Sequence, residues 1–180
     1  MIEPHYPIHY IKPIVLPDGT LIQFRPIHPM YGIQAVRFKE TLSDESIKAR
    51  FLGYIPQVSE RNILRLAKID YSKDMAIIAE TDEDAAKKII GIGRIAQDAE
   101  DPTHAELAII ISDAWHGRSL GARLTDYMIR IAGEMNYDAL FALVFSNNKK
   151  MIDILKRRHF NFSPADKNIL KGLLPLTVKK

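Results

Sequence analysis

Apolar residues in the first part of the chain are spaced for one strand followed by helices. Residues 1–17 contain four prolines, and we expect an irregular arm there. The alternation of apolar and polar residues in 20–25 predicts a strand after the turn signal Asp18-Gly19. Helical spacing then appears in three segments. The first is 29–42, the second is capped by Ser43 and runs to Phe51, and the third begins at Ser59.

The second part of the chain mixes short apolar segments with helical ones. Two apolar segments, 75–80 and 89–96, flank a charged stretch and predict a β-hairpin. Segment 105–111 is almost wholly apolar, so we expect a strand that is buried on both faces. The remaining elements are a helix over 120–133, a buried strand over 140–145, a helix over 148–159 and a tail with apolar residues in 169–174. This order of elements predicts a mixed α/β domain.

Composition and charge narrow the class of protein. The chain has 180 residues, of which 47% are apolar, and this fits one globular domain over 18–180 after the arm. The absence of cysteine excludes thiol catalysis, thiolate zinc sites and disulfides, and it fits a cytoplasmic protein. We expect neither a membrane span nor a signal peptide, because no apolar run reaches the ~18 residues that a membrane helix needs. The net charge of +3 is too small to indicate nucleic acid, but it is compatible with a phosphate-bearing cofactor.

Segment 113–121, with the sequence DAWHGRSLG, links a predicted strand to a predicted helix. Gly117 and Gly121 allow the backbone to approach a ligand closely, and the amides at the helix start point outwards. The helix dipole favours an anion there, and Arg118 and Arg123 add positive charge. This pattern fits a phosphate-binding loop, and it fits equally a plain strand-to-helix turn that needs small residues. It contains neither of the common nucleotide-binding glycine motifs, which argues against an NTPase or a dinucleotide enzyme.

The same segment resembles the acyl-CoA pyrophosphate loop of the GNAT N-acetyltransferases, whose pattern is D-x-W-Q-G-R-G-L-G. The strings DGTLIQFRPIHP, LSDESIKARF, IDYSKDMAIIAE, AELAIII and SNNKKM follow in the order found in the GNAT domain of bacterial protein lysine acetyltransferases. This resemblance covers about residues 18–160. It implies the GNAT acyl-CoA N-acyltransferase fold, an α/β fold in which helices flank a central, mostly antiparallel sheet. It also implies acetyl-CoA as the co-substrate, with no metal.

The resemblance assigns the binding and catalytic residues by position. The strand that pairs with the pantetheine arm of the coenzyme corresponds to Ile109, Ile110 and Ile111. The Asn that opens the last helix and contacts the coenzyme corresponds to Asn148, and the family's catalytic acid corresponds to Glu106. The amides that would hold the pyrophosphate belong to His116, Gly117, Arg118, Ser119, Leu120, Gly121 and Ala122.

Glu106 fits the role of general base on chemical grounds as well. A lysine amine has a pKa near ~10.4, so it must lose a proton before it attacks a thioester. A carboxylate within an apolar strand is expected to have a raised pKa and to accept that proton, directly or through water. A backbone N–H near Ile109 could stabilise the oxyanion of the transition state. The alternative for Glu106 is a structural acid that faces solvent or pairs with an arginine, and we assign no general acid.

The chain departs from the family pattern at a few positions. His116 replaces the usual Gln or Arg, Ser119 replaces a glycine, and Asn147 replaces an acid. The Leu-Gly-Phe that usually follows the last helix reads Arg158-His159-Phe160. These departures keep open a non-catalytic acyl-CoA sensor as the alternative to an enzyme.

The acceptor is the part of the reaction that the sequence defines least. A protein lysine follows from the resemblance, but nothing in the sequence distinguishes it from a small amine or a protein N-terminus. No acidic cluster indicates a polyamine or an aminoglycoside. We expect no nucleic acid or membrane partner. A homodimer is compatible with the resemblance.

Overall fold

A computed structural model of the chain describes residues 6–53, 69–83 and 86–176. Within these residues, eight strands form one sheet in the order β1-β2-β3-β4-β5-β6-β8-β7, and all neighbours are antiparallel except β5 and β6. The strands are β1 Lys12–Val15, β2 Leu21–Pro26, β3 Met75–Glu83, β4 Ala86–Gln97, β5 His104–Ile111, β6 Ala139–Phe145, β7 Asn161–Asp166 and β8 Ile169–Pro175. The helices are α1 Gly32–Lys39, α2 Asp44–Arg50, α3 Leu120–Glu134 and α4 Lys149–Lys156. The mixed α/β class with a mostly antiparallel sheet is confirmed.

The main core lies between the sheet and α3. The apolar residues Leu124, Met128 and Ile131 recur at helical spacing, and all three are fully buried. Burial of each such side chain contributes roughly 1.5–3 kcal/mol. Gly93 in β4 lets this helix approach the sheet, because a Cβ at this position would lie 2.9 Å from Cγ of Met128.

A second, smaller apolar cluster lies on the opposite face of the sheet, under α1 and α2. It includes Ala35 and Phe38 of α1 and Ile78 of β3. α2 begins where the sequence predicts, because the Ser43 side chain accepts a hydrogen bond from the Ser46 amide. The helix predicted to begin at Ser59 lies outside the described residues. None of the helices in the described ranges has the length and apolarity that a membrane crossing needs.

Three sequence-based predictions about strands were wrong. The arm is not irregular throughout, since Lys12–Val15 pairs with β2; Pro13 is tolerated because β1 is an edge strand. The predicted tail contains an additional strand, β7, which is exposed along most of its length and therefore shows no alternation. β5 is not buried on both faces, because Glu106, Ala108 and Ile110 are only partly buried and line a cavity.

Candidate active site

The parallel strands β5 and β6 pair only at their beginnings. Their ladder has three residue pairs and ends where Glu106 faces Phe141. β5 continues to Ile111, whereas β6 continues in a ladder with β8 on its other side. A gap therefore opens between the carboxyl ends of β5 and β6, and it exposes the edge of β5 to a ligand.

The register between β4 and β5 decides which backbone groups face this gap. The Ser112 amide donates to the carbonyl of Ile90, so this pair is hydrogen-bonded. Hydrogen-bonded and non-hydrogen-bonded pairs alternate along an antiparallel ladder without a bulge. The N–H and C=O groups of Ile109 and Ile111 consequently point away from β4 into the gap, whereas those of Ile110 point towards β4.

The loop after β5 presents a run of amides at the start of α3. Within the described residues, the amides of residues 117–122 donate no backbone hydrogen bond. Gly117 has φ 77°, and Ser119 has φ 64°, so both lie in the left-handed region. Ser119 stands where the family pattern has a glycine, and it adopts this conformation at a steric cost that glycine avoids. Together with the dipole of α3, these amides form a site suited to a pyrophosphate.

The side chain of Arg118 anchors this loop to the turn before β2. Its Nε and Nη2 donate to Oδ2 of Asp18 at 2.9 and 2.6 Å, and Nη2 also donates to Oγ1 of Thr20 at 2.7 Å. The guanidinium stacks over Trp115 at 4.1 Å from the ring centroid. Hydrogen bonds from Thr20 and then from Arg118 lower the pKa of Asp18 to about 2. Because Asp18 offsets its charge, Arg118 contributes to the anion site chiefly through its backbone amide.

Asp113 connects the same loop to α2. Its carboxylate accepts hydrogen bonds from the Ser43 amide at 3.0 Å and from the Ser46 hydroxyl at 2.7 Å. Burial alone would raise the pKa of Asp113, but the hydrogen bonds from Ser46 and Ser43 outweigh it and lower the pKa. The Asp113 amide also donates to the carbonyl of Thr41 at 3.3 Å. The start of the loop and the start of α2 are therefore held together.

The imidazole of His116 folds back over the end of β5. Its Nε2 lies 3.1 Å from the carbonyl oxygen of Ile111, and because a carbonyl only accepts, this nitrogen carries the proton. The hydrogen bond occupies one of the backbone acceptors that face the gap. The N–H and C=O of Ile109 are then the main-chain groups best placed to pair with an extended ligand.

Asn148 caps α4 at the opposite side of the gap. Its Oδ1 accepts from the Met151 amide at 3.2 Å, so it has a structural role. Nearby, Arg158 binds α4 to α3 through the Asp126 carboxylate at 2.6 Å and the Ala122 carbonyl at 2.9 Å. His159 has φ 65°. Like Ser119, it stands where the family pattern has a glycine, and it lies in the left-handed region.

Glu106 lies on the face of β5 that is turned towards α1 and α2, where a cavity of about 320 Å³ opens. Within the described residues, its carboxylate has no hydrogen bond and no ion pair. No arginine lies within ion-pair distance of it in the described residues, and it is partly buried. Phe38 and Phe51 line the cavity. Tyr137, to which we assign no catalytic role, is buried, and its hydroxyl donates to the Lys73 carbonyl.

Sequence reasoning missed two arginines that line this cavity, Arg50 at the end of α2 and Arg94 in β4. Arg94 interrupts an otherwise apolar strand, IIGIGRIA, and that interruption was an available signal. No such signal in the sequence marks Arg50, because α2 has the composition of a solvent-exposed helix. Its position becomes meaningful only when α2 is packed against the sheet.

Comparisons with known proteins agree with this geometry. The model of the acetyltransferase (GNAT) family matches residues 41–160. Acetyltransferase PA5475 of Pseudomonas aeruginosa is 30% identical over 139 residues, which are 77% of this chain and 74% of that protein.

Solved structures share the fold. The GNAT domain of S. lividans PAT superimposes with a TM-score of 0.87 at 24% identity, covering 96% of this chain and 100% of that one. The yncA protein of Salmonella typhimurium, solved with its cofactor acetyl-CoA, superimposes with a TM-score of 0.67 at 14% identity over 86% of this chain and 94% of that one. From the family model and the relative in Pseudomonas, we conclude that the chain belongs to the GNAT family of acetyltransferases.

Proposed function

We propose that this chain transfers an acetyl group from acetyl-CoA to a primary amine of a protein lysine. The observation that carries the proposal is the gap between β5 and β6, next to a loop whose amides at residues 117–122 have no backbone acceptor among the described residues. An extended pantetheine arm offers amides that can pair with the edge of β5. A pyrophosphate offers the anion that the start of α3 favours.

Different residues of this chain hold the coenzyme, stabilise the transition state and accept the proton. Acetyl-CoA, when bound, supplies the activated acetyl thioester. The backbone of Ile109 and the loop amides hold the coenzyme, with Asn148 at the far side of the gap. The Ile109 N–H donates a hydrogen bond to the carbonyl oxygen as negative charge develops on it. Glu106 accepts a proton from the acceptor's ammonium group. The free amine then forms the amide C–N bond to the acetyl carbon while the C–S bond breaks, and CoA leaves as its thiolate.

A protein lysine is the acceptor that the sequence resemblance supports. The strings shared with bacterial protein lysine acetyltransferases extend over about residues 18–160, well beyond the coenzyme loop. A small amine is the alternative acceptor. In either case Glu106 faces the cavity under α1 and α2, where the amine would enter.

A pair of measurements tests the proposal. Isothermal titration with acetyl-CoA measures binding, and thiol release with lysine peptides measures transfer, for the native chain and for Glu106→Gln. We expect Glu106→Gln to bind acetyl-CoA with unchanged affinity and to lose about 100-fold or more in kcat, as is typical when a general base is removed. Retention of full activity by Glu106→Gln would exclude this residue as the base. Absence of acetyl-CoA binding by the native chain would refute the proposal as a whole.

A non-catalytic acyl-CoA sensor is the second candidate function. The departures from the family pattern at His116, Ser119 and Asn147 favour it. Acetyl-CoA binding without thiol release on peptide and small-amine acceptors would support the sensor instead of the enzyme.

A further inference from the structure

The cavity in front of Glu106 has an unusual balance of charge. Most of its lining is apolar and comes from α1, α2 and the facing sides of β3, β4 and β5. Glu106 is the only acid in that described lining, whereas Lys39, Arg50 and Arg94 are cationic. A lysine ammonium group alone would meet the guanidinium groups of Arg50 and Arg94 as well as the carboxylate of Glu106 there.

Neither arginine is fully satisfied by the residues that the structure describes. Nη2 of Arg94 lies 3.4 Å from Oδ2 of Asp74, and its Nε is buried with no hydrogen-bond partner. Arg50 stacks over Phe51 at 5.1 Å from the ring centroid, and it has no hydrogen bond or ion pair in the described ranges. The Nε of Arg94 is the buried donor here that lacks an acceptor, and such a group is costly, particularly when it is charged.

The electrostatic environment of Arg50 also favours a further negative charge in the cavity. Its pKa is lowered, chiefly because burial penalises the charged form. The negative charge of Glu106 opposes that shift, and the positive charge of Arg94 adds to it. The three side chains therefore act on one another across the cavity. A further negative charge between the arginines would stabilise both.

We infer that the acceptor carries a carboxylate close to its reactive amine, and that Arg50 and Arg94 bind this carboxylate while Glu106 receives the amine. The inference rests on the proposed acetyl transfer and specifies its substrate class. Arginine suits the role because its planar guanidinium forms paired hydrogen bonds with a carboxylate. The carboxylate can belong to a free amino acid or to an acidic residue next to a lysine in a polypeptide.

Matched acceptors test the inference in two arms. The first arm compares lysine with 1,5-diaminopentane, which lacks only the carboxylate. The second compares blocked peptides in which a lysine has either Glu or Gln as its neighbour. With acetyl-CoA saturating, we expect kcat/KM to be about tenfold or more higher for the carboxylate-bearing member of at least one pair, as the loss of a charge-assisted hydrogen bond implies. The arm that shows the preference identifies the source of the carboxylate.

Variants then assign the preference to the arginines. In Arg50→Met and Arg94→Met, we expect the acceptor KM to rise and the preference to fall to about twofold or less, while the KM for acetyl-CoA stays unchanged. If Arg50→Met does not fold, Arg50→Lys takes its place in the assay. Lysine keeps the positive charge but cannot form the paired hydrogen bonds of a guanidinium group. Arg130→Met is the matched control, because Arg130 is exposed on α3 and pairs with Glu134 at 3.7 Å. It should leave the preference intact.

The outcomes separate this inference from the proposed function. Equal or better transfer to the acceptors without a carboxylate would overturn the inference and leave acetyl transfer standing. If no acceptor is acetylated, titration of the same acceptor pairs into the native chain and Arg50→Met gives the answer without turnover. Tighter binding of the carboxylate member that is lost in Arg50→Met would support the inference even then, and equal binding would reject it.

Discussion

Replacement of Ser119 by glycine should stabilise the protein. Ser119 has φ 64° at the start of α3, a conformation that costs a residue with a side chain about 1–2 kcal/mol. Glycine removes that cost, but it makes the unfolded chain more flexible, which costs about 0.4–1 kcal/mol. The difference is a gain of about 0.5–1 kcal/mol in the free energy of unfolding. For a domain of this size it corresponds to a rise of about 1–4 °C in Tm.

Ser119→Ala is the matched control. The Ser119 side chain makes no capping hydrogen bond, so the loss of the hydroxyl should have no cost of its own. Alanine keeps the Cβ and therefore keeps the steric conflict. Thermal denaturation and urea titration of the three proteins should place Ser119→Gly above the native chain and Ser119→Ala at or below it. The explanation from backbone conformation fails if alanine raises Tm as much as glycine, or if glycine lowers it.

Two further predictions concern the loop anchor and the packing under α3. Because the pKa of Asp18 falls from 3.8 to about 2 on folding, its ionised form contributes stability above about pH 4, and this contribution is lost as pH falls towards 2. Thermal melts between pH 2 and pH 6 should therefore show a smaller acid-induced fall of Tm in Asp18→Asn than in the native chain, and equal falls would contradict the assignment. Gly93→Ala should destabilise by about 1–3 kcal/mol, because its Cβ would meet Met128 at 2.9 Å. Gly133→Ala is the control, because a Cβ there would have nothing within 4 Å, and it should raise the free energy of unfolding by up to about 1 kcal/mol. If urea titrations show both variants to be stabilised or both to be destabilised, the contact at Gly93 does not explain the result.

The sequence predicts α3 well and the edge strands poorly, for one physical reason. α3 was expected over 120–133 and lies at Leu120–Glu134, because its buried residues recur at the helical period. β1 and β7 lie at the two edges of the sheet and are mostly exposed, so burial imposes no alternation on them. A hydrophobic pattern records which side chains are buried, and an edge strand held by backbone hydrogen bonds leaves little trace in it.

Some residues of the candidate site were likewise predicted from the sequence, and others were not. The resemblance pointed to Glu106 and to the loop over 116–122, since these belong to continuous strings of residues. Arg50 and Arg94 lie 44 positions apart in the chain and meet only through the packing of α2 on the sheet. The sequence therefore indicates the chemistry common to the family. The residues that would select an acceptor depend on tertiary structure.

The hydrogen bonds of Asp113 join these two parts of the site. This residue begins the loop that would hold the pyrophosphate, and its carboxylate binds the first turn of α2 through Ser43 and Ser46. α2 is only seven residues long and ends at Arg50, so its placement depends on such contacts more than on its own helical stability. The loop that would hold the coenzyme is thereby tied to the helix that ends at Arg50. The strained backbone of Ser119 is tolerated here, because two contacts hold the loop that precedes it. Asp113 binds the loop to α2, and Arg118 pairs with Asp18.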